Sequence, residues 1–589
     1  MNIFETIQQQ VQQAFPILFG NEIELNKITI NETLKEFEGD VTLVVFPLLK
    51  LTQKKPEETA TIIGEYLVKT NNNIASFNVI KGFLNLVLKD DFWVDFITKD
   101  QPNAITSKSA TILIEYSSPN TNKPIHLGHV RNNVLGYALA GIFKANGYST
   151  FKANLINDRG IHICKSMLAW QKFGNGETPE SSNMKGDKLV GKYYVEFDKH
   201  YKAEIEALIQ TGKTKEEAEK QAPILLEAQA MLLKWENGDA EIVDLWKKMN
   251  AWVYAGFDIT YKNLGVDFDK YYYESNTYLL GKDMVEDGLK KGVFYKKENG
   301  SVWIDLSSDG LDEKLVLRAD GTSVYITQDI GTADLKYNDF HMSRSIYVVG
   351  NEQDYHFKVL KLILQKLGRP YADGIQHYSY GMVDLPSGKM KSREGTVVDA
   401  DDLMDDMIAA AKEQTEALGK IEDFSEEEKQ ALFKTIGLGA LKFFLLRVDP
   451  KKRILFDPKE SIDLHGYTGP FVQYTYARTR SIWRKYQETQ QATNAIATYT
   501  LHPAEKELIK VLYNYPIVLA ESCKEMNPAK VVDYAYELAK TFNKFYNECS
   551  ILAAEKTEEK AFRMQLNQRT GNTIKTCFAI VGIDVPERM

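Results

Sequence analysis

The feature that most constrains the fold is a run of alternating elements between residues 111 and 156. "TILIEY" is β-branched and apolar, as a buried strand is, and the loop "SSPNTNKP" follows it. "HLGHVRNNVLGYALAGIFKANG" then carries apolar residues at helical spacing and stops at Gly147, and "STFKANLI" is typical of a second strand. Strand, helix and strand in this order form a βαβ unit, the first half of a nucleotide-binding sheet. The sequence therefore predicts an α/β fold of the Rossmann type.

The length and charge of the chain limit what surrounds that unit. A chain of 589 residues is too long for one core, so roughly three or four domains are expected. Hydrophobic residues make up 44% and charged residues 26%, which is ordinary for a globular protein in water. The formal net charge of −9 argues against a generally basic nucleic-acid coat protein, although a local basic face remains compatible with it.

The cysteines and the N-terminal residues indicate a cytoplasmic protein without structural metal. The four cysteines are scattered and form no C-x-x-C pair, so neither a zinc site nor a disulfide framework is expected. The glutamine-rich start "MNIFETIQQQ" lacks the basic region of a signal peptide. No apolar run approaches the ~20 residues of a membrane span, so no membrane contact is expected.

Changes in pattern along the chain predict its domains. Residues 1–109 mix helical segments with short strands and form a small α+β unit that ends in the polar linker "KDQPNAITSKS". Residues 110–400 form a domain that contains the βαβ unit, and the charged stretch at about 170–260 favours a solvated helical insertion over a catalytic role. The stretches "SVWIDLS", "SVYITQDI" and "SIYVVGN" predict strands with which the sheet resumes. Residues 401–454 form a helical connection, and residues 455–589 form an α-helical bundle.

Two of the nine histidines, His126 and His129, stand three residues apart at the predicted start of a helix. This spacing puts both imidazoles on one face, at the helix end where free N–H groups and the dipole favour anions. Gly128 lets a flat base or ribose approach the backbone, Lys123 adds a positive charge and Pro124 stiffens the loop. The set suits a nucleotide phosphate. A surface turn with incidental histidines and a metal site are the alternatives, although no acidic or cysteine partner is spaced for a metal.

A second cationic stretch strengthens the phosphate interpretation. "SGKMKSREGTVV" places Lys389, Lys391 and Arg393 between two glycines, after the alternating strands and before the helical stretch "DADDLMDDMIAAAKEQ". Such a loop can close on a triphosphate and stabilise a pyrophosphate leaving group. An exposed loop of lysines is usually only solvated, so this loop alone does not indicate phosphate binding. The loop and the histidine motif together do.

His-Leu-Gly-His resembles the "HIGH" motif of class I aminoacyl-tRNA synthetases, and the loop at Lys391-Ser392 resembles their "KMSKS" loop. The resemblance extends to the arginyl-tRNA synthetase family through further blocks in that family's order from about residue 80 onward: "EYSSPNTNKPIHLGHVRNNVLG", "LRADGTSVYITQDIGTA", "YVVGNEQDYHF", "GYTGPFVQYTYARTRSI" and "GIDVPERM". The N-terminal unit, with "KGFLNLVL", is similar to that family's additional domain. The resemblance implies a Rossmann-type catalytic domain between a tRNA-contacting α+β domain and an all-α anticodon-binding domain.

The resemblance also implies the reaction and its partners. Arginine is activated with ATP and Mg²⁺ to arginyl-adenylate and pyrophosphate, and then moves to the 3′-terminal adenosine of tRNA(Arg). Activation is expected to need bound tRNA. The expected protein is a cytoplasmic monomer that carries no zinc.

The family's motifs carry roles onto residues of this sequence. The residues implied for arginine are Glu115, Tyr325 and Asp329 at the guanidinium, Asn120 and Gln353 at the amino-acid end, and Asn85 of the N-terminal unit. Those implied for ATP are His126, Gly128, His129, Gly350, Glu352, His356, Lys389, Lys391 and Ser392. His126, His129, Lys123 and Lys391 are the implied catalytic residues, and Tyr474, Arg478 and Arg480 the implied tRNA contacts. The alternative, purely structural roles are ion pairs within the protein for Glu115 and Asp329, and core packing for most aromatic residues of the C-terminal helices.

The sequence departs from the family pattern in two places. The cationic loop is Lys-Met-Lys-Ser, one residue short, and the resemblance implies that Lys123 compensates for the displaced lysine. The family often shows Arg-Asp after "Y-x-T", where this chain has Gln328 and Asp329, so the carboxylate survives. No insertion resembles an editing domain. This absence is expected, because a site built to pair the guanidinium of arginine rejects amino acids that leave its buried polar groups unpaired.

Four other functions fit parts of this pattern. Small adenylyl-transferring nucleotidyltransferases share the His-x-Gly-His helix start but lack a long helical RNA-binding region. A tRNA-binding paralogue without catalysis would not need both histidines, Asp329 and the cationic loop. The cysteine synthetases would bring a zinc site, which dispersed cysteines do not supply, and the glutamate synthetases share the fold.

Overall fold

The computed structural model describes residues 2–99, 106–278, 280–384, 398–419, 421–488 and 499–589. The chain divides into two compact units. The first unit comprises Met1–Asn103, Ser481–Asn514 and Lys540–Gly571, and the second comprises Ala104–Arg480, Tyr515–Ala539 and Asn572–Met589. Most of the predicted linker at 99–109 and residues 387–397 of the cationic stretch at 387–398 lie outside the described residues.

The strands of the chain are β1 (Thr29–Glu32), β2 (Val41–Val44), β3 (Ile74–Ile80), β4 (Phe83–Leu88), β5 (Thr111–Glu115), β6 (Ser149–Ile156), β7 (Lys270–Tyr273), β8 (Tyr295–Lys296), β9 (Val302–Ile304), β10 (Lys314–Leu317), β11 (Arg344–Gly350), β12 (Ile375–Tyr380), β13 (Val383–Asp384) and β14 (Ile454–Leu455).

The α-helices up to the end of the insertion are α1 (Ile3–Phe19), α2 (Leu49–Thr52), α3 (Pro56–Thr70), α4 (Asp90–Thr98), α5 (Leu127–Ala145), α6 (Ile161–Phe173), α7 (Pro179–Ser182), α8 (Gly186–Gln210), α9 (Lys215–Gln221), α10 (Pro223–Glu236) and α11 (Ala240–Leu264). Those that follow are α12 (Glu274–Thr277), α13 (Lys282–Lys290), α14 (Tyr325–Phe340), α15 (Asp354–Lys366), α16 (Ala400–Ala417), α17 (Glu426–Leu446), α18 (Pro458–Ser461), α19 (Gly469–Glu488), α20 (Pro503–Tyr513), α21 (Tyr515–Glu525), α22 (Ala529–Glu548) and α23 (Thr557–Ile580). Short 3-10 helices occur at Leu25–Lys27, Phe46–Leu48, Ser307–Asp309, Asn351–Gln353 and Ala372–Gly374.

The first unit contains an antiparallel sheet in the order β1-β2-β4-β3. Strands β3 and β4 are joined by Lys81 and Gly82, which both have positive φ (49° and 79°), as a two-residue hairpin of type I′ requires. Asp40 is buried beside this sheet, where it accepts the Leu88 N–H at 2.7 Å and pairs with two lysines of α20, Lys506 and Lys510. These ion pairs hold the sheet and α20 together within the unit.

The second unit is organised around a parallel five-stranded sheet in the order β12-β11-β5-β6-β7. The chain runs from β5 outward to β6 on one side and from β11 outward to β12 on the other, so the strand order reverses between β5 and β11. Ligands of open α/β sheets bind outside the carboxyl ends of the strands at such a switch point. The loop from β5 to α5 and the loop after β11 both begin there, which makes this edge the candidate site.

Two of the three strand predictions beyond the insertion need correction. The sequence predicts a strand at "SVYITQDI", but helix α14 begins at Tyr325, and its buried residues Ile326, Ile330 and Ala333 follow helical spacing. Composition alone does not distinguish a short β-branched strand from the first turns of a buried helix. "SVWIDLS" forms β9, but β9 pairs with β8 and β10 in a separate antiparallel sheet. "SIYVVGN" forms β11 of the parallel sheet, as predicted.

Helix α5, the insertion and the described region after residue 400 follow the predicted helical pattern. Helix α5 is buried along most of its length, and the chain leaves it at Gly147 with a φ of 85°. The insertion is helical from α6 to α11, and helices predominate after residue 400. None of the described helices combines the length and the apolar composition that a membrane span requires.

Candidate active site

The two histidines of the βαβ unit form a compact pair at the start of α5. His126 is the N-cap, and its Nδ1 accepts the Gly128 N–H at 3.2 Å. The Nδ1 of His129 in turn accepts the His126 N–H at 3.3 Å, and the two ring centroids lie 3.9 Å apart. Because both Nδ1 atoms are acceptors, each neutral ring carries its proton on Nε2. The described residues provide no hydrogen-bond partner for either Nε2–H, so both can donate to a ligand.

Both imidazoles are uncharged at neutral pH. Burial, reinforced by the charge of Lys123, lowers the pKa of His126 to about 3. Burial also lowers the pKa of His129 well below its usual value, with His126 and Lys123 acting in the same direction. The pair therefore offers two oriented hydrogen-bond donors at a helix N-terminus without adding positive charge.

A cavity of about 240 Å³ opens beside this pair. Lys123 and His126 line one side, and the inserted helix α8 lines the other with Lys188, Lys192 and Tyr194. Burial lowers the pKa of Lys123. The insertion, expected as a solvated extension, thus lends part of one face to the site, a contribution that its charged helical sequence does not reveal.

The segment that follows the cationic loop meets the histidine loop directly. The Leu127 N–H donates to the Val398 carbonyl at 3.1 Å, and the Ala400 N–H donates to the Ile125 carbonyl at 2.9 Å. The described flank of the loop therefore reaches the start of α5. Lys389, Lys391 and Ser392 themselves lie outside the described residues.

A second cluster combines α14 and α15. His356 Nε2 lies 2.6 Å from Asp329 Oδ2, and the ring of Tyr325 lies 5.5 Å from that of His356. Tyr325 and Asp329 stand one helical turn apart on α14 instead of at the end of a strand. The structure thus brings these two predicted arginine residues together and adds His356, which the resemblance assigned to ATP.

Glu115 occupies the carboxyl end of β5 and is buried with an ion-pair partner. Lys336 of α14 pairs with its carboxylate, and both side chains are almost fully buried. Burial by itself would lower the pKa of Lys336, but the charge of Glu115 keeps that pKa above its usual value. Glu115 therefore forms the ion pair within the protein that was its alternative role. Its contact with arginine stays a prediction.

Glu274, near Tyr325 and Asp329, is an acidic residue that the sequence motifs do not indicate. Glu274 directly follows β7, and burial raises the pKa of its carboxyl to about 7, lowered in part by Arg159 and raised further by Asp158 and Asp329. Its position at the carboxyl end of the strand "KYYY" is the sequence signal that could have identified it.

The remaining predicted ligand residues of the second unit lie on the loops at the switch point. Asn120 is exposed, next to Thr121, whose N–H donates to the Asn157 carbonyl at 3.0 Å. Gly350 ends β11 with open space where a side chain would extend. Glu352 and Gln353 follow it in an exposed 3-10 turn.

Two groups of predicted residues already have protein partners. Asn85, in the first unit, is buried, accepts from Thr42 at 2.7 Å and donates to Asn78 at 2.9 Å. On α19, the Arg478 guanidinium lies 5.0 Å from the ring of Tyr474, and Arg480 forms an ion pair with Glu587 at 2.7 Å. No cluster of three His, Cys, Asp or Glu side chains that could hold a metal is found within the described ranges.

Known proteins match the chain over its full length. The family of class I tRNA synthetase (R) catalytic domains matches residues 95–457, and the DALR anticodon binding domain matches residues 472–589. The arginine–tRNA ligase of Flavobacterium psychrophilum is 56% identical over 606 aligned residues, and that of Amoebophilus asiaticus is 55% identical over 596, each with 100% of both chains covered.

Solved structures agree in fold. The arginyl-tRNA synthetase of Thermus thermophilus superposes with a TM-score of 0.80 at 23% identity, with 100% of both chains covered. That of Plasmodium falciparum gives a TM-score of 0.75 at 19% identity, covering 100% of this chain and 99% of the other. With the full-length sequence matches, these findings show that the chain belongs to the arginyl-tRNA synthetase family of class I aminoacyl-tRNA synthetases.

Proposed function

We propose that this protein activates L-arginine with ATP, forming arginyl-adenylate and pyrophosphate, and then transfers arginine to the 3′-terminal adenosine of tRNA(Arg). One observation carries the proposal beyond family membership. The pair of neutral imidazole donors at the start of α5 and the cluster of Tyr325, Asp329 and His356, which contains a carboxylate, belong to one unit built on one parallel sheet. This division suits one polyanionic and one cationic substrate.

ATP, as its magnesium complex, is assigned to the start of α5. The Nε2–H groups of His126 and His129 donate to phosphate oxygens, Gly128 allows close approach, and the helix N-terminus favours the negative charge. Lys123 adds a cation from the cavity. The further residues proposed for ATP are Gly350, Glu352, Lys389, Lys391 and Ser392. His356 is left out because its contact with Asp329 fits the arginine cluster better.

The activation step needs positioning and charge neutralisation more than proton transfer. A carboxylate oxygen of arginine attacks the α-phosphorus and forms a new O–P bond. The bond between the α-phosphorus and the oxygen that bridges it to the β-phosphorus breaks, and this oxygen leaves with the pyrophosphate. The neutral donors stabilise charge on the phosphate oxygens, since donors already in position do not have to reorganise as the charge develops.

Arginine is assigned to the cluster of Tyr325, Asp329 and His356 on α14 and α15. Asp329 faces the guanidinium, whose planar fork suits a carboxylate, and Tyr325 and Glu115 complete that side. Asn120 and Gln353 are proposed for the α-amino and carboxylate groups, and Asn85 as a further contact. Arginine would have to replace His356 as the partner of Asp329.

The tRNA is proposed to contact domain 1–109 and the helical domain 455–589, which in sequence precede and follow the catalytic domain 110–400 and the connection 401–454. Tyr474 and Arg478 are the proposed contacts on α19, together with Arg480 once it leaves Glu587. The proposal includes activation that depends on bound tRNA, and a monomer that acts in the cytoplasm.

ATP–pyrophosphate exchange tests the proposal. The assay is run with each amino acid, with and without tRNA(Arg). Exchange driven by arginine alone, and only with tRNA, is the expected result. Exchange driven by another amino acid would contradict the arginine assignment, and arginine-driven exchange without tRNA would contradict only the tRNA dependence.

A further inference from the structure

The turn that leaves β5 adopts an unusual backbone conformation. Ser117 and Ser118 have φ values of 77° and 46°, in the left-handed region that non-glycine residues seldom occupy. Two such residues in succession cost conformational free energy and persist only where the surroundings hold them. The turn lies two residues before Asn120, the residue proposed for the amino-acid end of arginine.

Three buried side chains hold this turn. Asn132 of α5 accepts the Ser117 N–H at 2.5 Å, and Asn154 of β6 accepts the Ser118 N–H at 3.1 Å. The hydroxyl of Tyr261 lies 2.7 Å from Ser117 Oγ and accepts from the Asn154 side-chain amide at 3.1 Å. Because the Tyr261 oxygen accepts from Asn154, its own proton is available to donate to Ser117.

The three side chains differ in what else they hold. Asn132 also donates to the Val348 carbonyl of β11 at 2.6 Å, so it links the turn to the other side of the switch point. Tyr261 belongs to α11, the last helix of the insertion, and is almost fully buried. Its hydroxyl bonds to the turn and to the side chain that supports the turn, and neither of the proposed ligand clusters contains it.

We propose that Tyr261 is a positioning residue for arginine: its hydroxyl keeps the Ser117–Ser118 turn in the left-handed conformation that presents Asn120 to the amino acid. This inference rests on the proposed function. It gives the insertion a second role, because a helix placed between β6 and β7 in sequence fixes the loop that leaves β5.

The test is Tyr261→Phe, which removes one oxygen and keeps the ring. In tRNA-dependent ATP–pyrophosphate exchange, kcat/KM for arginine is expected to fall about tenfold, as for loss of one buried hydrogen bond, while KM for ATP changes less than about twofold. Tyr271→Phe is the matched control. Both rings contact Phe268, with centroids 4.9 Å and 5.3 Å away, and the described residues offer the Tyr271 hydroxyl no hydrogen bond.

A rescue variant separates positioning from packing. Glycine adopts positive φ without steric penalty, so adding Ser118→Gly to Tyr261→Phe is expected to restore most of the arginine efficiency that Tyr261→Phe loses. If Tyr261→Phe lowers only the melting temperature, or alters the arginine and ATP constants equally, the inference is wrong. Failure of glycine to restore activity also overturns it. Absence of arginine-driven exchange in the unaltered protein would instead refute the proposed function.

Discussion

The two halves of the candidate site are built in different ways. The histidine pair is fixed by the backbone, since each Nδ1 atom accepts an N–H of the first turn of α5. The cluster of Tyr325, Asp329 and His356 is held by contacts between side chains, and about a fifth of the Asp329 and His356 side chains remains exposed.

This difference indicates how one sheet edge can select two substrates of opposite charge. Donors fixed by the backbone require no rearrangement when a phosphate arrives. A carboxylate whose partner is a histidine side chain can exchange that partner for a guanidinium. Glu115 is a third case, because it is buried against Lys336 and has little exposure. Four substitutions test this comparison.

The largest effect is expected from Lys336→Met, which leaves the Glu115 carboxylate buried without its partner. Loss of one member of a buried pair costs about 3–5 kcal/mol, so the free energy of unfolding in urea should fall by that amount. Lys366→Met is the control, because its pair with Asp309 is about a third exposed on both sides and is screened by solvent, so its loss should change the free energy of unfolding far less. Equal small losses in both variants would show that Glu115 does not need Lys336.

Asp329→Asn should cause the next largest loss, because it removes the charge proposed to face the guanidinium while keeping the side-chain shape. We expect kcat/KM for arginine to fall by about 10²–10³, as for truncation of one partner of a buried charge pair. Asp334→Asn on the same helix is the control, because Asp334 pairs with Arg369 at 3.0 Å. An unchanged arginine constant in Asp329→Asn would mean that Asp329 serves only His356.

His126→Asn should lower kcat of the exchange by about 10², the usual loss when one transition-state donor is removed. Asparagine is a good N-cap, so α5 should still begin correctly. In the unaltered protein, the low pKa of His126, about 3, means that the ring stays neutral down to that pH. The exchange rate should therefore show no ionisation near pH 6.5 from this residue. A step near pH 6.5 that disappears in His126→Asn would contradict the assignment.

Lys123→Ala should give the smallest effect, about tenfold in the activation rate, if this lysine supplies the charge displaced by the shortened Lys-Met-Lys-Ser loop. Lys192→Ala is the control in the same cavity, where Lys192 pairs with Glu177 at 2.7 Å. Similar activation rates for both variants and the unaltered protein would show that Lys123 only helps to keep the loop hydrated and has no role in activation.

Much of the fold could be predicted from the sequence because local pattern decided it. The βαβ unit from β5 to β6 has β-branched strands, a helical period and a glycine stop, and each lies where predicted. The family, the Rossmann-type fold and the class of enzyme are confirmed by the comparisons. The strand prediction at "SVYITQDI" is wrong because the short run of β-branched and aromatic residues continues into a helical burial pattern.

The chemistry of the site was less accessible, because it depends on partners far apart in sequence. Nothing near Glu115 in the chain indicates Lys336, and nothing near Ser117 indicates Tyr261. The neutrality of the histidines follows from burial, which the order of residues does not report. The roles of the individual site residues stay predictions, and those of Lys389, Lys391 and Ser392 fall outside the described residues.

The most direct test of the division between the two clusters is to measure KM for arginine and for ATP in one exchange assay on Asp329→Asn, His126→Asn and the unaltered protein. We predict a crossed result: Asp329→Asn raises KM for arginine and leaves KM for ATP within about twofold, whereas His126→Asn lowers kcat and raises KM for ATP without changing KM for arginine. Equal changes in both constants for either variant would contradict the division of the site into a nucleotide side at the histidine pair and an arginine side at Asp329.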